Sequence, residues 1–571
     1  MSYFLKKTNT SKGVYYQVYD GNHNKEKGYT TQRSVKVIGY HNSLLEQGVS
    51  DPLTYAQGIV KEMEKERKDN ERKKKEELIS NDSPIKYAGV FLIDSVLRKM
   101  NIESALNLFD FQSKAKYKLY DVFKFLIEAQ IIDPSSKRKE YINFAPKLLE
   151  PIGFNYDNVL ETLEKLGTDY LSVITLINEY LKSFYKRSFG HLYFDCTNYY
   201  FEIDKPFEDK QKGPSKENRK DPIIGMALLL DEEQIPLSMK MYPGNQSEKP
   251  YIRELIKEMK NDHKISGKTI QVADKGLNCG QNIFEATKEN DGYIYSQSVK
   301  MLPEIEQTWV ALDNDYINTV ENGEVIFKIK ERVDDFNYKF TYQGKEYSHN
   351  FKQKRVVYWS KKLAEKQKLE INKLIDKATN LVISRAKKKE FGEAGKYINF
   401  GSVNDEGVIN TEDIKAALNK TKIENDLKWC GYNMVITSEL NLDAKKIYEI
   451  YHKLWRIEES FRILKTDLVA RPVYVQKKET IYGHFLVCYT SLLILRLIEL
   501  KLFNDQISMD KILDFIRNFQ LVKVGDGYIN CTKLSNVFPE LLNRTKLPLT
   551  KKYMTESNLQ DILSYKFSTR N

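Results

Sequence analysis

"HLYFDCTNYYFEI" (residues 191–203) decides the fold, because the hydrophobic period changes to two there. Upstream, apolar residues recur at helical spacing, as in "AGVFLIDSVLRKM" and "LSVITLINEYLKSFYKR". From about residue 188 aromatic and β-branched residues alternate. "IIGMALLLD" (223–231) and "IPLSMKMYPGN" (235–245) follow as two further strands, joined as a hairpin. A helix is expected from about Glu248 to Met259, then the strand "KTIQVADKG" (268–276) and a helix from about Cys279.

Three strands, then helix, strand, helix is the element order of an RNase H-like core, an α/β fold. Residues 188–300 form its first part. Residues 301–428 are lysine- and tyrosine-rich with short strands ("YKFTYQGKEYSHNFKQKRVVYWS") and read as a mainly β insertion. The core resumes over 429–505, with the strand "YNMVITSEL" (432–440) and a long helix through "YHKLWRIEESFRILK" (451–465). Residues 1–60 read as an N-terminal β unit around "VYYQVYDGN" and "RSVKVIGY". Residues 61–83 form a charged helix or linker, with phosphate contact as the sharper alternative to a solvated face. Residues 84–187 are helical, and 506–571 form a C-terminal helical appendage. Within "IIDPSSKRKEY", Asp133 reads as an N-cap and Pro134 as the first helical residue. Lys137 and Arg138 would then flank a helix N-terminus, a natural phosphate site. Capping alone also accounts for Asp133 and Pro134.

The 571 residues suffice for several domains, and their formal charge of +11 is spread along the chain. Such a surface favours a polyanion, although a merely soluble basic protein has the same balance. Five scattered cysteines without a CxxC pair suggest neither a disulfide framework nor a thiolate zinc site, and fit a reduced cytoplasmic compartment. The N-terminal "MSYFLKKTNTSKG" carries no apolar signal core. The most hydrophobic run, "HFLVCYTSLLIL" (484–495), is too short to span a bilayer and reads as a buried helix, so no membrane association is expected.

Three acidic residues stand out. Asp195 lies inside a strand with little other reason to carry a charge, and Asp274 ends the strand "IQVAD" before a Lys-Gly turn. Tyr451, Leu454, Glu458, Phe461 and Lys465 share one helical face, which turns Glu458 toward the core while Glu459 points elsewhere. Singly, each has an ordinary explanation: a loop hydrogen bond, a turn, a pairing with lysine. Together, three converging carboxylates would bind protons unless a cation neutralised them. Magnesium prefers such oxygen ligands. Two such ions roughly 3.5–4 Å apart can drive in-line attack at phosphorus.

These blocks resemble the DDE transposases of bacterial insertion sequences, in the group with a Tyr-Arg-Glu-Lys signature. "YFDCT" is similar to their first block and "VADKG" to the second. Tyr451, Glu458 and Lys465, with "WRIE", are similar to the third, Y-x2-R-x3-E-x6-K. The signature arginine position holds Leu454, and Arg456 or Arg462 are the candidates to replace its phosphate contact. "YPGNQSE", "DPSSKR", "ARPVYV" and "YGHFLVCYTSLLILRLIE" also look like family segments. Asp195 and Asp274 lie 79 residues apart, and Asp274 and Glu458 184, the long interval reflecting the insertion.

The resemblance implies that Asp195, Asp274 and Glu458 are catalytic and hold two Mg2+ ions, for which Mn2+ can substitute. Tyr451 and Lys465 would contact phosphates, Lys275 would touch DNA beside the metals, and Trp455 would stack on a base or simply pack. Ser247 and Glu248 read as helix caps, and His484 as a structural residue or one near the metals. The implied activity is binding of terminal inverted repeats, two-metal hydrolysis of double-stranded DNA at the transposon ends, and joining of the 3′-hydroxyl ends to target DNA. Residues 1–60 and 84–187 would recognise the ends, the insertion would help to hold DNA, and a homodimer would form on it. A cytoplasmic, nucleoid-associated enzyme is expected. Two alternatives stay open: an RNase H-like nuclease or resolvase without strand transfer, and an inactive transposase-derived DNA-binding regulator.

Overall fold

The structure, a computed structural model, describes residues 2–24, 29–77, 85–111, 116–217, 219–265, 267–342, 344–384, 388–401 and 415–568. Residues 78–83 of the charged segment and 402–414 of the insertion lie outside the described residues. The chain divides into two compact units: Met1–Phe91 with Pro146–Glu150 and Asp514–Tyr565, and Leu92–Ala145 with Pro151–Leu513 and Lys566–Asn571.

The second unit is organised by a nine-stranded mixed sheet. Its strands are β1 (His191–Tyr200), β2 (Ile223–Leu230), β3 (Pro236–Pro243), β4 (Ile270–Ala273), β5 (Gly292–Gln297), β6 (Ile317–Glu321), β7 (Glu324–Tyr342), β8 (Lys345–Ser360) and β9 (Tyr432–Thr437). They lie in the order β6-β7-β8-β9-β5-β4-β1-β2-β3. β1, β2 and β3 form an antiparallel meander. β4 joins β1 in parallel and β5 joins β4 in parallel. The helices α1 (Lys249–Asp262) and α2 (Gly280–Lys288) supply the connections that parallel strands require.

Every residue of β2 is buried, so this strand reads as an unbroken apolar run rather than an alternation. On one face, Ile252, Leu255, Ile256 and Met259 of α1 share a core with Leu192, Phe194 and Leu229. The opposite face meets α4 (Ala444–His452), α5 (Trp455–Arg462) and α6 (Lys478–Leu497): α5 packs on β1, and Phe485 of α6 meets Tyr199 at 4.6 Å between ring centroids. α6 is buried from Thr480 to Leu497, as its sequence predicts, and a helix apolar all round belongs inside a protein. It also lies tightly against the helix Tyr156–Thr168. A Cβ on Gly483 would stand 2.1 Å from the Leu163 carbonyl oxygen, and one on Gly167 1.8 Å from that of Glu479. Among the described residues, no helix is long and apolar enough to cross a membrane.

The long strands of the lysine- and tyrosine-rich insertion belong to the nine-stranded sheet. Its hairpin, β7 and β8, pairs from Phe327↔Ser360 to Tyr342↔Lys345, and β8 then joins β9, which borders β5. The insertion also carries a 23-residue helix, α3 (Lys361–Ile383), and a small two-stranded sheet. It is more helical than its composition suggests.

In the first unit, Ser2–Thr10, Gly13–Asn24 and Tyr29–Tyr40 form an antiparallel meander. Tyr16, Leu44 and Ala56 make its small core. The helix Pro52–Glu77 runs into the charged segment and ties back through Glu64, which accepts the Tyr3 backbone N–H at 3.0 Å. The tail differs from the helical expectation. Gln520–Val524, Gly527–Asn530 and Tyr553–Thr555 are strands, and the first pairs with Ile85–Tyr87 in a four-stranded sheet. Pairing with a segment more than 400 residues earlier leaves no local signal for a strand.

Candidate active site

The last parallel pair between β1 and β4 is Phe194↔Ala273, so Asp195 and Asp274 follow as neighbours on adjacent strands. Asp195 remains in the ladder opposite Leu228, and its Oδ1 accepts the Cys196 backbone N–H at 2.7 Å. Asp274 begins a short helical turn, Lys275–Leu277. Its Oδ1 accepts the Ser296 hydroxyl at 2.7 Å and the Tyr451 hydroxyl at 3.4 Å. Tyr451 comes from α4, which packs against β4 and β5.

The stretch 451–465 is not one continuous helix. α4 ends at His452, α5 begins at Trp455, and Ile463–Asp467 forms a widened turn. This break shifts the phase expected from the sequence. The buried residues of α5 are Arg456, Ile457, Ser460 and Phe461, while Glu458 is exposed. Glu458 therefore does not enter the core; it stands at the open rim of the carboxylate site.

Electrostatics link the three acids. Burial pushes the Asp195 carboxyl up to about 6, and Glu248 and Asp274 add to the rise against the opposing Lys216 ammonium and Cys196 N–H. Glu458 is also raised, by partial desolvation and then by Asp274, with Lys216 opposing. Asp274 is thus close enough to disfavour charge on both others. Among the described residues, no group of three His, Cys, Asp or Glu is drawn together tightly enough to hold a metal ion. In kind, the three carboxylates would suit a hard divalent cation, which would relieve the rise that Asp274 adds to Asp195 and Glu458.

The connection between β1 and β2 brings residues that the sequence reading missed. Lys216 Nζ lies 3.7 Å from Asp195 Oδ1 and 3.6 Å from Glu248 Oε2, and it donates to the Cys196 carbonyl. Glu248, read as a helix cap, makes no side-chain cap bond and instead faces this lysine. Glu217 bridges Lys465 at 3.1 Å and Arg471 at 2.9 Å. A charged loop of this composition gives no sign of which partners tertiary closure will bring to it. The only pointer was the pair of apolar strands that the loop joins.

Two residues expected to touch DNA are buried and occupied. Arg456 is 4% exposed, and its guanidinium donates to Glu459 at 3.1 Å, Glu499 at 3.5 Å and Asp505 at 2.6 Å. Lys137 is 4% exposed and donates to Gln130 at 2.7 Å and Glu140 at 2.9 Å. A helix-capping geometry also moves. Asp133 closes the helix Leu119–Ile132, and it is Ser136 that accepts the Lys139 N–H as N-cap of the following turn. Leu454, at the signature arginine position, is buried.

Other expected contacts face solvent. Lys275 and Arg138 are exposed, Trp455 is 45% exposed with the Arg456 guanidinium 4.4 Å from its ring centre, and Arg462 lies 3.6 Å from Asp467. Lys465 is half-buried beside Tyr199, and burial lowers its proton affinity against the pull of Glu217. His484 is fully enclosed, 3.1 Å from the Ala470 carbonyl, and burial pushes its imidazole down to about 3. It is a packing residue.

A family model described as "Transposase DDE domain" matches residues 197–494, a span that includes Asp274 and Glu458 and starts just after Asp195. No curated protein matches. Among solved structures, the chain is similar to one described as "Cryo-EM structure of piggyBac transposase synaptic complex with hairpin DNA (SNHP)". It is 9% identical to that chain, with a TM-score of 0.36, and the match covers 85% of this chain and 86% of the other.

Proposed function

As a member of the transposase DDE domain family, whose model spans more than half of its length, this chain is one for which we propose DNA cleavage and strand transfer carried by Asp195, Asp274 and Glu458. The observation that carries this reading is the delivery of Asp195 and Asp274 side by side at the ends of one parallel strand pairing, with Asp274 close enough to raise the carboxyl of Asp195 and that of Glu458 on α5. The order β3-β2-β1-β4-β5, antiparallel and then parallel, supports an RNase H-like core around them.

Transposases of this family use divalent metal ions; Asp195, Asp274 and Glu458 would hold them, as Mg2+ or Mn2+, and the ions would polarise phosphate and activate the attacking oxygen. The protein's own contribution is orientation. The strand ladder and the Cys196 N–H fix Asp195, and Ser296 and Tyr451 aim Asp274. Lys216 offsets part of the local negative charge. Lys275 follows Asp274, Trp455 and Arg462 share α5 with Glu458, and Tyr451 and Lys465 lie on the segments before and after α5; these five would contact the DNA backbone or an unstacked base. Arg138 is a candidate contact at a separate place.

The substrate in this reading is double-stranded DNA at the ends of a mobile element, recognised through terminal inverted repeats. After hydrolysis the 3′-hydroxyl ends are joined to target DNA by a homodimer. The test is incubation of the full chain with duplex DNA carrying the sequences that flank its gene, with Mg2+ and a target plasmid. Cleavage and joined products from the parent, with none from Asp195→Ala, are the expected result. Intact DNA with the parent, or equal products from Asp195→Ala, overturns the reading. Cleavage without joined product assigns a nuclease instead.

A further inference from the structure

The segment Ser215–Glu217 lies across both halves of the site. Lys216 offers its ammonium to Asp195 and Glu248, while the next residue offers a carboxylate to Lys465 and Arg471. The pair thus presents a cation to the acids and an anion to the bases. A metal-bound phosphodiester would present the same order of charges.

Several contacts hold this arrangement in register. The Lys216 N–H donates to the Asn198 side chain at 3.3 Å, and the Asn198 amide donates to the Pro214 carbonyl at 3.2 Å. The Glu217 N–H donates to the Ser215 hydroxyl at 3.2 Å. On the basic side, the Arg471 guanidinium lies 4.9 Å from the centre of the Tyr200 ring, and Lys465 lies 5.5 Å from that of Tyr199. The two cations are therefore set on consecutive aromatic residues of β1, a few positions along from Asp195. Arg471 Nε is buried and makes no hydrogen bond, so a single carboxylate leaves this fork partly unused.

We propose that Lys465 and Arg471 form a phosphodiester subsite of the active centre, and that Glu217 fills it in the DNA-free protein and is displaced when DNA binds. The proposal rests on the DNA-cleaving role assigned above. It places the guanidinium beside the signature lysine on Arg471. The two replacements considered from the sequence are less suited: Arg456 is buried, and Arg462 has Glu459, Asp467 and Asp510 as neighbours. A planar guanidinium with spare donors matches phosphate better than a lone ammonium does. Replacing a Glu217 carboxylate by phosphate exchanges one anion for another, so the cost of uncovering the subsite is repaid in kind.

The experiment measures binding of a fluorescent mixed-sequence duplex to the full chain across a salt series, with Ca2+ in place of Mg2+ to prevent cleavage. Arg471→Ala is expected to weaken binding by about tenfold and to lower the salt slope by about one. Glu217→Gln is expected to tighten binding, and that gain should vanish in the Glu217→Gln/Arg471→Ala double variant. Thermal melting checks folding, and Arg471→Lys, which keeps the charge but not the fork, serves if Arg471→Ala does not fold. Unchanged or weakened binding by Glu217→Gln, or an unchanged salt slope on loss of Arg471, overturns the proposal. Cleavage by the parent with Mg2+, run alongside, separates this failure from failure of the transposase reading.

Discussion

The two sides of α5 carry opposite solutions to the same problem. On the outer side, partial desolvation and then Asp274 raise the proton affinity of Glu458 against the pull of Lys216. On the inner side, one residue later, burial works against Glu459, yet Arg496 and Arg456 hold its carboxyl below the usual range. The inner network is closed: Arg496, fully buried, donates to Glu499 at 2.5 Å and to Glu459 at 2.9 Å, and Arg456 joins both acids. The outer group is open and short of positive charge. Glu459 comes with its two guanidinium partners built in, whereas Glu458 makes no such pair among the described residues.

The sharpest way to break this comparison is to neutralise each glutamate in turn. Glu458→Gln should abolish DNA cleavage, by on the order of 1,000-fold or more, and leave the melting temperature nearly unchanged. Glu459→Gln should do the reverse. Gel assays and thermal melts on the same preparations check both, and equal effects of the two variants would erase the distinction. Next in size, Arg496→Met removes the nearer of the two guanidinium partners of buried Glu499, leaving Arg456 at 3.5 Å, and should cost about 3–5 kcal/mol in urea denaturation.

Acid tests the closed interior from another direction. Burial lowers His484 to about 3 and His263 to about 4, so both stay neutral in the folded protein at pH values where the unfolded chain protonates them near 6.5. The unfolded state then binds more protons, and stability falls as pH drops below about 6.5. The loss is about 1.4 kcal/mol per pH unit for enclosed His484 until its folded value is reached, and less for His263, which solvent partly screens. Denaturant midpoints at pH 7 and 5 should show this, and His484→Gln should shallow the slope. The smallest expected effect belongs to Trp455. Removing its ring in Trp455→Ala forfeits the contact with Arg456, worth about 0.5–1 kcal/mol, and a larger loss in the melt would make it part of the interior.

Much of this architecture was readable from period and composition. The change of period near residue 188 located β1, and the apolar run of β2 marked a strand buried on both faces. The run around residues 484–495 gave α6 for the same reason. The blocks around Asp195, Asp274 and Glu458 were also visible, since a charge inside an apolar strand or helix is conspicuous. What was not visible depended on distance in the chain. Arg456 looks like a surface residue until Glu499 and Asp505, some 45 residues on, are known to meet it. Lys216 and Glu217 sit in an ordinary charged loop, and the break between α4 and α5 has no proline or glycine to announce it. The strand Gln520–Val524 waits for a partner near residue 86.

The placement of β9 has a consequence for how the chain is made. β5 ends at Gln297, yet the strand that covers its outer edge begins at Tyr432. At 5–20 residues per second, that edge waits on the order of ten seconds on the ribosome before its partner emerges. During this interval an apolar strand offers its open hydrogen-bonding groups to any passing chain. The lag between these two strands is a step in biosynthesis at which a chaperone would matter, and shortening the insertion would shorten it.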